Sequence, residues 1–386
     1  MTPSAEKLVT IERVRATEVV VPIRSDSQDS IELGEAMDGI PWPQMPICII
    51  EATCSDGITG LGEVVRGVSL NSIESALKQL PGLEMHGLSP ACVPDSWKPG
   101  TLWGLQQRYP VPVYSLNSPI AGALEMVRMD WAGKKLNCRA VDLLGGVHRE
   151  SIPVDYWCSR RLPKDLEKTI AKAKSMGFKG LKMKSRLGDP VAEQVRAIKS
   201  VGGDDFSITI DPMFQWISPH DGLDNFRALE PIAHKVRIED PFPQDQPDMW
   251  RRAMDRFSIP LIWHARDPVS LRRALQERCT DDFNCSGGLA EFLVAAHAVE
   301  ALGYACWHGS SIEMGIGQVA HVHTAAAARA CTMPSDFVSG IVREHTLITW
   351  DWPYKDGHLP LPKGPGIGVE LDRDAMKKYQ TAAVEF

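Results

Sequence analysis

The chain has 386 residues and a formal net charge of −7, with 44% hydrophobic and 24% charged residues, the make-up of an ordinary folded enzyme. The acidic balance, without a lysine or arginine block, excludes a nucleic-acid surface, and no apolar run reaches membrane-spanning length. Nine scattered cysteines, none spaced C-x-x-C, exclude a disulfide framework and a zinc ribbon; with the polar start MTPSAEKLVT they lead us to expect a cytoplasmic protein.

This length exceeds what one core usually organises, so more than one domain is expected. Residues 1–150 read as a mixed α+β unit. "ERVRATEVVVPI" and "PICIIEATCSDGITGLGEVV" are strand-like, with a hairpin turn at Asp56-Gly57. Between them lies "RSDSQDSIELGEAMDGIPWPQM", a long polar loop of the kind that forms lids or binding loops; Arg24 and Trp42 in it are candidates for distal substrate contacts, although solvated loop residues have the same appearance. "AGALEMVRMDWAGKKL" then has a helical period, with Leu124, Val127, Trp131 and Ala132 on one face.

From 151 to 345 the pattern changes to alternation. The strand-like runs are "FKGLKMK", "FSITID", "KVRIE", "IPLIWH", "DFNC" and "GYACWH". Helical runs such as "PKDLEKTIAKAKSMG", "PVAEQVRAIKSVG" and "LAEFLVAAHAVEALG" lie among them. Strand–helix alternation over this length predicts a parallel (β/α)8 TIM barrel; a doubly wound sheet is the alternative, but no G-x-G-x-x-G follows the first strand. The Gly/Pro-rich tail, 346–386, is expected to pack back on the first unit.

Polar residues begin or end these strand-like runs: Lys184, Asp211, Glu239, His264, Asp282 and His308, separated by 27, 28, 25, 18 and 26 residues. Those steps approximate one βα unit, so the side chains are expected to converge at the mouth of a barrel, where active sites of this fold lie. Lys182 shares a strand face with Lys184, while Met183 takes the other. Each residue also has an ordinary structural reading, as a solvated strand end, a helix cap or a core histidine; the argument rests on their periodic co-occurrence. His297 and His321 lie in helical runs and receive no role, nor do His220, His323 or the cysteines.

The chain resembles the enolase superfamily in its mandelate racemase and muconate lactonizing enzyme branch. The resemblance is carried by "DGITGLGE", "ALEMVRMDWAGKKL…VDLLGG", "GLKMKS", "ITIDPMFQW", "RIEDPF", Gly287-Gly288 and "PGIGVELD". It implies a modified barrel covered by an α+β capping domain, and a divalent metal that holds the carboxylate of a small-molecule substrate. Sites of this superfamily use a lysine or histidine base with magnesium. By resemblance, Lys182 and Lys184 are the Lys-x-Lys pair with Lys184 the base, and Asp211 and Glu239 are metal ligands. Asp282 matches an aspartate that orients a catalytic histidine, here His308.

The place of the third metal ligand, usually a carboxylate or Asn, holds His264, with Asp267 the alternative if the loop shifts; a frequent Asn is replaced by Met213. One negative charge fewer suggests Mg2+ held weakly, or another divalent metal. Lys182 and the metal are expected to push Lys184 toward the free amine. The resulting expectation is dehydration of a sugar acid or related hydroxy acid. Racemisation or epimerisation, cycloisomerisation of a lactone or anhydro-sugar acid, and a non-catalytic carboxylate-binding role are the alternatives. A homo-oligomer is expected from the family.

Overall fold

The structure, a computed structural model, describes residues 8–28, 45–87, 120–217, 219–265 and 268–386. Trp42 and Asp267 lie outside the described residues. Strands β1 (Ile11–Val19), β2 (Ile47–Cys54) and β3 (Thr59–Glu63) form an antiparallel meander, with Gly57 in the left-handed region (φ 80°) at the β2–β3 turn. Helices α1 (Leu70–Leu77) and α2 (Ala121–Leu136) follow. Leu124, Val127 and Trp131 of α2 are buried against this sheet, as their spacing predicts; burying each such side chain contributes about 1.5–3 kcal/mol.

The glycines of the "GITGLGE" motif serve this packing. A Cβ on Gly62 would lie 2.2 Å from the Ala123 carbonyl oxygen, so any larger residue would push α2 off the sheet. Buried Asp130 of α2 accepts backbone N–H groups from Leu61 of β3 and Ile367 of the tail, each at 3.0 Å, and pairs with Lys134 at 2.6 Å. The motifs "DWAGKKL" and "PGIGVELD" thus meet at one carboxylate that ties three distant segments together. Buried polar groups need such partners.

The remaining elements alternate: β4 (Ser151–Pro153), β5 (Tyr156–Cys158), α3 (Pro163–Ser175), β6 (Gly180–Lys184), α4 (Val191–Gly202), β7 (Ser207–Asp211), α5 (Pro219–Leu229), β8 (Val236–Glu239), α6 (Pro247–Met254), β9 (Leu261–Ala265), α7 (Pro268–Glu277), β10 (Asp282–Cys285), α8 (Leu289–Ala301), β11 (Cys306–His308) and α9 (Gly315–Ala327). Strands β5 to β11 lie in sequence order in one curled parallel sheet. Its edges are bridged by residues 331–336, with Cys331 paired to Cys306 and Ser335 to Val154. Instead of an eighth strand paired along its length, the expected eighth place holds this short extended segment. The result is an α/β, barrel-like fold.

After α10 (Ser339–Val342), β12 (His358–Pro360) pairs with β4, and α11 (Arg373–Tyr379) leads into β13 (Gln380–Glu385), which pairs antiparallel with β1. The tail therefore returns to the first sheet. The eight described cysteines are all free. No helix among the described residues is long and apolar enough to cross a membrane.

Candidate active site

Because strand side chains alternate, Lys182 and Lys184 both point to the inner face of the curled sheet, while Met183 is buried on the other. Lys182 lies deep, its Nζ 2.6 Å from Glu239 Oε2, 2.8 Å from Asp336 Oδ2, 3.6 Å from Asp211 Oδ2 and 5.4 Å from the Trp307 ring. Burial alone would pull this ammonium down; Asp336, Glu239 and Asp211 outweigh it and hold it well above the ordinary lysine value. Lys184, one rung nearer the mouth with a side chain 14% exposed, is bonded to Asp211. The second cation expected to disfavour charge on Lys184 is thus itself neutralised by three carboxylates.

Asp211 ends β7. Burial opposes its charge, but Lys184 and Lys182 hold its carboxyl down at about 2. Its Oδ1 accepts the Met213 N–H at 3.0 Å, inside a turn where Met213 and Phe214 both occupy the left-handed region, with φ of 49° and 65°. Two consecutive non-glycine residues in that region are costly, and such strain concentrates at functional sites. Glu239 ends β8 and accepts from Asn284 Nδ2 at 2.6 Å. Burial and neighbouring Asp211 push it up to about 7. A carboxyl so poised is one that a cation would hold ionised.

His264 of β9 brings its Nε2 to 2.8 Å from Ser286 Oγ, beyond the end of β10, and its Nδ1 to 3.9 Å from both Glu239 and Asp240. Glu239, Asp240 and His264 each offer a donor atom, all within 4.8 Å of one another. Two carboxylates and an imidazole with this convergence fit one divalent ion. Of the set expected from sequence, Glu239 and His264 fall in this cluster together with Asp240, while Asp211 Oδ2 faces the two lysines.

Two further residues are placed elsewhere. Asp282 is the first residue of β10, opposite Ile262 of β9, and its carboxylate accepts the Ala305 N–H at 2.7 Å. It therefore sits about three residues, roughly 10 Å, below the mouth. His308 ends β11, but Trp307 takes the inner face, so the imidazole points outward. There it stacks on Phe292 at 4.1 Å and His321 at 4.3 Å, with Nδ1 on the Gly309 carbonyl at 2.8 Å. Burial first, then His321, lowers its pKa well below the usual histidine range. Asp282 and His308 form no dyad, and neither reaches the lysines. Arg24 pairs with Asp26 at the surface at 3.5 Å.

The residues that sequence reasoning passed over are Asp336, Asp240, Asn284 and Ser286. Asp336 carried a usable signal, since it follows His308 by 28 residues and continues the βα spacing. No strand-like run marks it, because its segment is extended without being apolar.

Residues 165–375 match the family described as enolase C-terminal domain-like. Among known relatives, the N-succinyl-L-Arg/Lys racemase of Bacillus cereus is 26% identical over 353 residues, covering 87% of this chain and 91% of the relative. Chloromuconate cycloisomerase CbnB of Cupriavidus necator is 26% identical over 278 residues, covering 69% of this chain and 74% of the relative. The solved dipeptide epimerase from Cytophaga hutchinsonii, complexed with Mg and the dipeptide D-Ala-L-Val, superposes with a TM-score of 0.78 at 19% identity, covering 98% of this chain and all of that one.

Proposed function

The chain belongs to the mandelate racemase and muconate lactonizing enzyme branch of the enolase superfamily, and on that premise we propose that it isomerises a small carboxylate after Lys184 removes the proton next to the carboxyl group. The observation that carries this reading is the position of Lys184. It lies at the inner, C-terminal end of β6, bonded to Asp211 beside the Glu239, Asp240 and His264 cluster.

Removing such a proton places a second negative charge beside an existing carboxylate. A divalent ion, Mg2+ or another, held by Glu239, Asp240 and His264 would supply positive charge at those oxygens. Lys184 acts as a base only as the free amine, so its tie to Asp211 must loosen when substrate binds. Asp211 then keeps the Met213 N–H at 3.0 Å and Lys182 at 3.6 Å as partners. After taking the proton, the Lys184 ammonium regains Asp211 as its counter-ion. Lys182, fixed by three carboxylates, stays charged and can meet a substrate carboxylate.

Sugar-acid dehydration finds no support among the relatives, which are named as a racemase, a cycloisomerase and an epimerase. His308, the catalytic histidine implied by the resemblance, also faces away from the mouth. Racemisation needs a second group on the opposite face of the substrate. His264, three strands along the sheet from β6, would serve only where the carboxylates hold the ion without it. Cycloisomerisation needs Lys184 alone and is the second reading, favoured by the single lysine at the described mouth.

N-acyl amino acids, dipeptides and muconates incubated with the protein and Mg2+ or Mn2+ in deuterated water test this. Deuterium at the α-carbon with inversion supports racemisation, and a new lactone supports cycloisomerisation. A 2-keto-3-deoxy product from acid sugars, with no exchange in the other classes, would return the reaction to dehydration and sink the proposal.

A further inference from the structure

Behind the mouth, between α2, the ends of β10 and β11, and the start of α9, lies a cavity of about 310 Å3. Its wall carries Glu63, Glu125, Glu291, Glu313 and His321, and no lysine or arginine among the described residues. Arg128 acts on Glu125 and Arg343 on Glu63 through space, yet neither lines the cavity. Ser286 belongs to this wall and also bonds His264 at 2.8 Å, so the cavity adjoins the catalytic cluster.

The carboxylates have partial explanations. Glu63 accepts the Met314 and Gly317 N–H groups at the start of α9 (2.6 and 2.7 Å), and Glu291 accepts the Gly288 N–H at 2.9 Å. Glu313 accepts from Ser310 and Ser311 at 2.5 and 2.7 Å. Helix starts attract anions, which accounts for Glu63 and Glu291 as caps. Two atoms are left over. His321 is 6% exposed and lines the cavity, yet its Nδ1 makes no hydrogen bond; its close carboxylate oxygen, Glu313 Oε1, is 3.8 Å away. Glu291 Oε1 is likewise buried without a partner. Buried polar atoms of this kind are costly unless a partner arrives. Burial raises Glu63 and Glu125 to about 7 and Glu291 to about 8, as expected where the lining holds no cation.

We propose that this cavity receives a cationic group, an ammonium or a guanidinium, at the far end of the substrate whose carboxylate is held at the mouth. The inference rests on the reading of Lys184 as an α-proton base and adds the substrate class to it. Of the two leftover atoms, Glu291 Oε1 is an oxygen that a cationic donor would satisfy. A neutral apolar tail would leave Glu291 Oε1 unpaired, and an anionic tail would meet four glutamates.

Calorimetry near neutral pH, with Nα-acyl-lysine and Nα-acyl-arginine against their neutral counterparts norleucine and citrulline, tests this on the full chain. Each cationic ligand should bind at least about tenfold tighter than its counterpart, the equivalent of one charge-assisted hydrogen bond. Glu291→Gln should collapse that ratio toward one; if that variant does not fold, Glu313→Gln carries the same test. A ratio near one in the wild type, no binding of either cationic ligand, or a ratio unchanged in the variants overturns the inference. Exchange of the α-proton, followed separately, keeps the two readings apart. A tenfold ratio without exchange supports the cavity and rejects the base, whereas exchange with a ratio of one does the reverse.

Discussion

The ends of β6 and β11 hold the same kind of residue in the same place, a titratable side chain at the C-terminal end of a parallel strand, and meet opposite fates. Lys184 falls on the inner face beside Asp211 and one rung above Lys182. His308 falls on the outer face, between Phe292 and His321. Strand-end position brings a residue to the mouth level; alternation along the strand decides whether it enters. The first environment is charged and compensated, and the second is aromatic and neutral. Substitutions should therefore divide the two ends by mechanism.

The largest stability effect is expected at the inner end. Lys182→Met leaves Glu239, Asp336 and Asp211 facing one another without their shared cation, and breaking a buried pair from one side costs about 3–5 kcal/mol. Denaturant unfolding checks this, and a loss below about 1 kcal/mol would mean that the carboxylates are compensated elsewhere. At the outer end, His308→Phe keeps the stack with Phe292 and His321 and loses only the bond to Gly309. Its unfolding free energy should stay within about 1.5 kcal/mol of the wild type. A larger loss would point to a polar role for the imidazole.

Asp282→Asn should cost less still, about 0.5–1 kcal/mol, because an amide oxygen can still accept the Ala305 N–H. The last effect is spread over pH as a slope. Glu63, Glu125 and Glu239, raised to about 7, and Glu291, raised to about 8, bind protons more tightly folded than unfolded. Their contribution is present at low pH and is lost as pH rises through those values. Buried His323, lowered to about 4 from 6.5, acts only below 6.5, and Asp211, at about 2, lower still. Stability should therefore fall between pH 6.5 and 8, and Glu291→Gln should flatten that fall in unfolding curves measured across the window.

Much of the mouth was legible because a βα repeat leaves a spacing in the sequence. Lys184, Asp211, Glu239 and His264 close β6, β7 and β8 and near the end of β9, at steps of 27, 28 and 25. The step of 18 to Asp282 was the irregular one, and Asp282 proves to begin its strand. His308 had a regular step but the wrong face, and three-residue β11 is too short for its alternation to declare itself. Asp336 had a regular step and the right face, but no apolar run around it. The cavity glutamates were illegible for another reason. They come from β3, α2 and α8 and from the turn before α9, and only folding brings them to one wall. The "PGIGVELD" motif proved structural, meeting Leu61 of "GITGLGE" at Asp130, whereas Glu63 of the latter reaches the cavity wall.

Deuterium uptake at the substrate α-carbon, compared between wild type, Lys184→Ala and His308→Phe, tests the central claim most directly. The account predicts that Lys184→Ala slows uptake about 100- to 10,000-fold, the usual share of a general base, while His308→Phe leaves it within a few-fold of wild type. Uptake that survives in Lys184→Ala and disappears in His308→Phe would contradict it.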